Sequence, residues 1–112
     1  MKNSPAFQFY AADFEMATST WELDEVGLYI KLLIHQWTNG PLPNDYKKLA
    51  KIARISPKKF SNLFQIVSKK FPLDSSGRLA NIRLEKVRQN QINYRKKQTD
   101  FGKKGAEKRW GN

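Results

Sequence analysis

The chain of 112 residues is 39% hydrophobic and 12% aromatic, which suits one compact core and excludes an entirely disordered chain or two independent domains. Its formal net charge of +11 predicts a polyanionic partner, and the charge is segregated: residues 1–42 hold two lysines against five acids, a net charge of −3, so residues 43–112 carry +14. The absence of cysteine excludes disulfides and thiolate-bound metals, and no apolar run approaches the ~20 residues that cross a membrane.

The first predicted elements are an extended segment and a buried helix. Residues 6–14 (AFQFYAADF) are rich in aromatic side chains and favour a strand-like segment against the core. Acids between residues 22 and 25 mark the start of the first helix, and Asn39, Gly40 and Pro41 end it. Its apolar positions at helical spacing are Val26, Tyr29, Ile30, Leu33 and Trp37, widened by Leu28, Leu32 and Ile34.

Two shorter helices are predicted next. Asn44 or Asp45 can cap a second helix over residues 45–54. Ser56, followed by a proline, is a strong start signal for a third helix that runs to about residue 68. The expected core residues are Tyr46, Leu49, Ile52 and Ala53 of the second helix, and Phe60, Leu63, Phe64 and Val67 of the third.

The remaining residues predict a hairpin and a polar helix. Two short extended runs flank an Asp-Ser-Ser-Gly turn at residues 74–77, which indicates a β-hairpin. A long polar helix follows from residue 83 to about residue 100, and the glycines after Phe101 are expected to fray it.

This order of elements predicts a mainly α fold with a small β-hairpin, the winged helix-turn-helix: a three-helix core, a wing and a long basic C-terminal helix or tail. We expect residues 1–94 to form a winged-helix DNA-binding domain and residues 95–112 a basic, flexible tail. The third helix would enter the major groove, about 12 Å wide in B-DNA, and the hairpin would reach an adjacent groove or the backbone.

The candidate DNA-binding residues are cations and amides in three places. Asparagine and glutamine can pair with adenine, and lysine contacts phosphate or guanine. An ordinary solvated helix face, edge lysines that prevent strand aggregation and a solubilising tail remain as alternative explanations. The candidates are Lys58, Lys59, Ser61, Asn62 and Gln65 of the third helix, Lys69, Lys70 and Arg78 of the hairpin, and Arg95, Lys96, Lys97, Lys103, Lys104 and Arg109 of the tail.

No residue pattern points to catalysis, and we expect neither an enzyme nor a cofactor. The sole histidine, His35, lies on the apolar first helix and is expected to pack there, because a zinc site would have to be completed by carboxylates alone. A magnesium-dependent nuclease cluster is an alternative for the N-terminal acids, although the helix dipole and solvation explain them more simply. These acids are Asp13, Glu15, Glu22, Asp24 and Glu25.

The last helix leaves the oligomeric state open. Six positions follow one another at alternating spacings of three and four residues, which suits a coiled coil, but two glutamines interrupt the row, and packing back on the domain is favoured over homodimerisation. The row is Leu84, Val87, Gln91, Tyr94, Gln98 and Phe101. The N-terminus lacks a signal-peptide core, so we expect a cytoplasmic protein that does not bind membranes.

Several motifs resemble an uncharacterised family of phage and prophage proteins. They are Ser4-Pro-Ala-Phe-Gln-Phe-Tyr10, Asp13-Phe14, Gly27-Leu-Tyr-Ile-Lys-Leu-Leu33, Gln36-Trp37, Gly40-Pro-Leu-Pro43, Leu49-Ala50, Ile55-Ser-Pro57, Gly77-Arg-Leu79, Asn81, Arg83-Leu-Glu85, Gly102-Lys-Lys-Gly-Ala106 and Arg109-Trp110. That family is similar to the N-terminal winged-helix part of phage replication-initiation, or replisome-organiser, proteins. The resemblance implies binding to origin DNA and recruitment of a helicase loader or the replicative helicase.

The first hypothesis is therefore a double-stranded DNA-binding module of a phage or prophage replication protein. Single-stranded DNA or RNA binding stays open. The alternatives are a transcriptional regulator, and a protein-interaction adaptor or host-takeover factor that works through its aromatic face.

Overall fold

A computed structural model describes Ala6 and residues 9–110, with side chains as far as residue 98. This part is mainly helical. Its elements are α1 (Ala11–Ala17), α2 (Leu23–Asn39), α3 (Tyr46–Ala53), α4 (Pro57–Val67), a 3-10 turn (Ser68–Lys70) and α5 (Ile82–Trp110). Helix α2 is central, because α3, α4 and α5 all pack against it, while α3 also packs against α4.

The ends of α2 and the start of α3 are set by local signals that the sequence shows. Glu22 and Glu25 form a capping box, in which the Glu22 N–H donates to Glu25 Oε1 at 2.7 Å. Helix α2 ends at Gly40, whose φ of 93° suits a residue without a side chain. Asp45 caps α3 by accepting from the N–H groups of Lys47 and Lys48 at 2.9 and 3.3 Å. The predicted bounds of these helices are confirmed.

A three-residue turn joins α3 to α4. Arg54 adopts the left-handed conformation, with φ 62°, and ends α3. Ser56 then caps α4, because its Oγ accepts from the Lys59 N–H at 3.2 Å, and Pro57 occupies the first helical position. The predicted start of the third helix is confirmed.

Replacing Ser56 by alanine should destabilise the protein by about 1 kcal/mol, because the first turn of α4 loses a hydrogen-bond acceptor. Urea unfolding followed by circular dichroism measures this change. Ser75→Ala, at an exposed turn position, is the control and should be close to neutral. Equal effects of the two substitutions would contradict the capping role.

The core joins α2, α3, α4 and the segment between α4 and α5. The ring of Phe60 stacks on that of Phe64 at a centroid distance of 4.8 Å, and Tyr46 of α3 meets both rings edge-on at 5.5 and 5.6 Å. The largest side chains with less than 2% exposure are Leu32, Gln36, Leu42, Leu49, Phe60, Val67 and Phe71. This packing fixes which face of α4 points outward.

The predicted extended segment at residues 6–14 is wrong over its second half, because α1 begins at Ala11. Alanines at 11, 12 and 17 favour a helix, and Asp13 lies in its first turn, where negative charge is stabilising. Aromatic side chains still attach the segment to the core: Phe14 stacks on Tyr29 at 5.0 Å. Phe7 lies outside the described residues.

The predicted β-hairpin is also wrong, and with it the wing and the winged-helix assignment. Within the described residues no strand forms, and Leu79 makes only isolated antiparallel bridges to Leu42 and Leu73. The ladder cannot grow, because Pro72 has no N–H to donate and because prolines also flank Leu42 on both sides. The residues that would lengthen the first strand at its N-terminal end form the 3-10 turn Ser68–Lys70 instead.

Asp74 organises the tight turn that stands where the wing was expected. Its carboxylate accepts from the Ser76 hydroxyl at 2.6 Å and from the N–H groups of Ser76 and Arg78 at 2.9 and 3.0 Å. These hydrogen bonds, the one from the Ser76 hydroxyl above all, hold the pKa of Asp74 below its usual value. Gly77, with φ 83°, closes the turn.

Helix α5 is longer than predicted, since its backbone stays helical to Trp110. Its first turns pack on the domain, but every side chain from residue 89 to residue 98 is exposed. The molecule is elongated, with principal extents of 64, 30 and 26 Å. None of the helices, over the residues described, combines the length and the apolar character needed to span a membrane.

Candidate nucleic-acid interface

The outer face of α4, with the turn that follows it, carries a row of four candidate residues. Lys58, Asn62, Gln65 and Lys69 are spaced by four, three and four positions, which places them on one side of a helix. All four are exposed, and Phe60, Phe64 and Val67 of α4 are buried on the opposite side. We call these four residues the α4 row.

Two other candidates of this helix lie off the row. Lys59 is turned toward the start of α2, where its Nζ lies 3.7 Å from Asp24 Oδ2. Both side chains are more than half exposed, so the pair contributes little to stability and weakens in salt. Ser61 is half-buried at the edge of the row.

The three cations of the expected hairpin lie in different surroundings. Lys69 belongs to the α4 row, whereas Lys70 lines a cavity of about 270 Å³ between α1, α2 and the start of α5. Arg78 is directed to the loop after α2, because its Nε donates to the Pro41 carbonyl at 3.2 Å.

Helix α3 adds cations that were not among the candidates predicted from the sequence. Lys47, Lys48 and Lys51 are exposed, and Leu49, Ala50 and Ala53 of the same helix are buried. The spacing of these lysines around apolar positions 49, 50 and 53 is the signal that could have revealed them. Helix α3 packs directly on α4, so these lysines add positive charge to the helix that neighbours the α4 row.

The cations of α5 divide into two groups. Arg95, Lys96 and Lys97 are exposed on the projecting part of the helix. Lys103, Lys104 and Arg109 occupy helical backbone, but their side chains lie outside the described residues.

The join between α2 and α5 depends on the buried amide of Gln36. Its Nε2 donates to the Asn81 carbonyl at 3.1 Å and to Glu85 Oε1 at 3.3 Å, and its Oε1 accepts from the Asn81 N–H at 2.8 Å. Asn81 in turn caps α5, since its Oδ1 accepts from the Leu84 N–H at 3.0 Å. Its Nδ2 donates to the Lys70 carbonyl at 2.9 Å. One amide pair therefore ties three segments together.

Glu85 and Arg88 extend this join. Arg88 donates to Glu85 Oε2 at 3.1 Å and to the Trp37 carbonyl at 3.3 Å. A Cβ at Gly40 would lie 3.3 Å from the Arg88 guanidinium, so a side chain there would crowd it. Gln36, Trp37, Asn81 and Glu85 all belong to the motifs that carry the phage-family resemblance, and their contacts here are structural.

Three of the N-terminal acids are engaged in ion pairs or in helix capping. The N-terminal acids Asp13 and Asp24 pair with Arg83 at 3.1 Å and with Lys59, and Glu25 caps α2. Across the described residues no three His, Asp or Glu side chains come close enough to hold a metal ion.

Burial shifts the pKa of two groups in the domain. It lowers the pKa of His35, whose Nδ1 lies 3.4 Å from Asn39 Nδ2. It raises the pKa of Tyr29, opposed by a hydrogen bond with Asn81 and the charge of Arg83. Burial thus favours the neutral form of the His35 imidazole, which is partly buried on α2.

Comparison with known proteins yields one match. A family model described as "Protein of unknown function (DUF1376)" matches residues 5–87, a stretch that includes α1 to α4 and the first turns of α5. No curated protein and no solved structure matches the chain. Since the matched stretch covers well over half of the sequence, the chain belongs to the DUF1376 family.

Proposed function

We propose that this protein binds double-stranded DNA, with the α4 row as the surface that enters the major groove. The observation that carries the proposal is the exposed row itself, two lysines and two amides on a helix whose opposite face is buried. An α-helix fits the major groove, where amides can pair with adenine edges and lysines reach phosphate or guanine.

The neighbouring charges support the same surface. The exposed Lys47, Lys48 and Lys51 lie on α3, the helix that packs on α4, and lysines near a reading helix can contact phosphates and so position that helix. Within the described residues, neither Lys58 nor Lys69 has an acid within 4.0 Å, whereas Lys59 is paired with Asp24. The row's cations are thus available to a polyanion.

The biological role we propose is replication initiation in a phage or prophage, in the cytoplasm and without catalysis by this chain. The motif resemblance to replication-initiation proteins supports this role, as does the segregation of +14 into residues 43–112. Origin binding would place the protein where a helicase loader or the replicative helicase is recruited.

Fluorescence anisotropy with a labelled duplex at two salt concentrations tests the proposal. The variant Lys58→Ala/Asn62→Ala/Gln65→Ala/Lys69→Ala should bind a preferred duplex on the order of 10²-fold more weakly, because two base contacts and two phosphate contacts are lost. The slope of log affinity against log salt should become shallower by about 2.

The matched control is Lys31→Ala/Lys86→Ala, which removes the same charge from exposed positions outside the α4 row. It should keep both the affinity for the preferred duplex and the discrimination against other duplexes. Equal losses in the two variants would mean that net charge alone, and not the α4 row, determines binding.

A second candidate function is a protein-interaction adaptor. An apolar groove of about 370 Å³ lies beside the start of α5, where the side chains of Leu73 and Ile82 are 60% and 71% exposed. Exposed apolar side chains around a concavity are typical of protein-binding surfaces. This candidate replaces DNA binding if the wild-type chain binds neither duplex nor single-stranded nucleic acid at low salt.

A further inference from the structure

A cavity of about 270 Å³ between α1, α2 and the start of α5 is largely apolar, and we call it the α1 cavity. Its apolar lining includes Phe14 of α1, Tyr29 and Leu33 of α2, and Leu84 and Val87 of α5. An apolar cavity of about 150 Å³ holds one benzene molecule, so the volume of the α1 cavity suits a body of one or two fused rings. The cavity therefore has the size and the lining of a small-molecule site.

Aromatic rings form one side of the α1 cavity. Phe14 stacks on Tyr29 at a centroid distance of 5.0 Å, and Phe9 meets Phe14 at 5.0 Å with the two ring planes tilted by 52°. All three residues line the cavity. Aromatic rings gain energy from offset-stacked or edge-to-face contacts with a further ring, beyond the area that is buried. The lining therefore favours an aromatic body over a saturated chain.

Lys70 gives the α1 cavity a positive charge that has no counter-ion. The residue lines the cavity and is half-buried, and no acid among the described residues lies within 4.0 Å of its Nζ. The other lining cation, Arg83, is paired with Asp13 at 3.1 Å and lies over the Tyr10 ring at 4.6 Å. A partly buried charge is stabilised by a counter-ion. The charges of the lining therefore leave room for one anionic group.

The Tyr29 hydroxyl adds a neutral polar group to the same cavity. Tyr29 is 8% exposed, and burial raises the pKa of its hydroxyl, which therefore keeps its proton at pH 7. A phenolic hydroxyl both donates and accepts hydrogen bonds, so its contact with Asn81 does not exhaust it. A protonated hydroxyl can share an anionic group with the Lys70 ammonium without repelling it.

Helix α1 is a weakly held wall of the cavity. None of its seven residues is buried. Its ion pair with α5, between Asp13 and Arg83, joins two side chains that are both more than half exposed. Elements with few buried contacts open at low free-energy cost, so movement of α1 would admit a ligand.

We propose that the α1 cavity binds a small aromatic carboxylate. Its ring body would lie against Phe14 and Tyr29, and its carboxylate would accept from the Lys70 ammonium. A bound ligand would fill the space between α1 and the start of α5 and so hold α1 in place. The site shares no residue with the α4 row, and the proposal therefore goes beyond the proposed function and does not depend on it.

An NMR titration of the isotope-labelled full chain with indoleacetate tests the proposal. A bicyclic acid of this size should bind with a Kd of about 1 mM or below, and the shifted amides should be those of α1 and of the residues that line the cavity. Lys70→Met, which keeps an unbranched side chain without the charge, should weaken binding at least about 10-fold. The matched control Lys31→Met, at an exposed position of α2, should bind as the wild type does.

Two further measurements separate charge from shape. The neutral amide indoleacetamide should bind the wild type at least about 10-fold more weakly than indoleacetate, and Lys70→Met should lose this preference. Hydrogen exchange of the α1 amides should slow about 10-fold at an indoleacetate concentration of about ten times Kd, because opening must then release the ligand.

Four outcomes would overturn the proposal. They are the absence of shifts at about ten times the expected Kd, binding of octanoate as tight as that of indoleacetate, equal losses in Lys70→Met and Lys31→Met, and shifts centred on the groove beside Leu73 and Ile82. Because no DNA is present in these experiments, each of these outcomes leaves the proposed function standing.

Discussion

Replacing Phe60 by alanine should lower the free energy of unfolding by about 3–5 kcal/mol, enough to unfold a large part of the population of a marginally stable domain. The ring is fully buried at the centre of the α2–α3–α4 packing, stacked on Phe64 and met edge-on by Tyr46. Alanine removes the apolar contacts of both neighbours and leaves a cavity that rigid helices can only partly close.

Urea unfolding measured by circular dichroism gives this change directly. Phe60→Leu, which keeps most of the volume, should cost clearly less than the alanine variant. Because the same ring fixes the outward face of α4, the alanine variant should also bind duplex DNA more weakly in proportion to its unfolded fraction. A loss below about 1 kcal/mol would mean that Phe60 is not in the core.

Replacing Gln36 by leucine should destabilise the protein by about 1–3 kcal/mol, chiefly because the backbone N–H of Asn81 loses its acceptor. Leucine is of similar size, but it leaves the Asn81 N–H without an acceptor, and an unsatisfied buried polar group costs about 1–3 kcal/mol. The Asn81 carbonyl loses one of its two donors and keeps the Glu85 N–H at 2.9 Å. Glu85 loses a donor as well.

The matched control for this change is Gln91→Leu, at an exposed position of α5, which should change stability by less than about 0.5 kcal/mol. Unfolding in urea compares the two variants. A second readout is hydrogen exchange at the start of α5, which should become faster in Gln36→Leu because the cap at Asn81 is no longer held. Stability equal to wild type would show that the apolar gain of leucine offsets the lost hydrogen bonds.

Local signals explain why α2, α3 and α4 could be predicted. Asp45 and Ser56 cap through hydrogen bonds that span two or three residues, so their partners are next to them in the sequence. The outward face of α4 followed from the positions of its apolar residues. The residues Lys58, Asn62 and Gln65 could therefore be identified as candidates from the sequence alone.

Features that depend on distant residues could not be predicted. The sequence predicts a hairpin because two short extended runs flank a turn. Whether strand pairing extends beyond Leu79 depends, however, on its partner Leu42, which lies far earlier in the chain between two prolines. The contact between Gln36 and Asn81 joins positions 45 residues apart. For α1, the aromatic side chains suggested a strand, whereas its alanines and Asp13 favoured a helix.

As far as residue 98, where the described side chains end, α5 is attached to the domain only by its first turns and therefore acts as a lever. A rotation of about 5° at its root would move a tip roughly 40 Å away by about 3–4 Å, which is comparable to the distance between neighbouring base pairs. The hydrogen bonds of Gln36, Asn81 and Glu85 therefore set the direction in which the far end of α5 points. Substitutions of these three residues would change the position of the cations at the far end of α5 without replacing any of those cations.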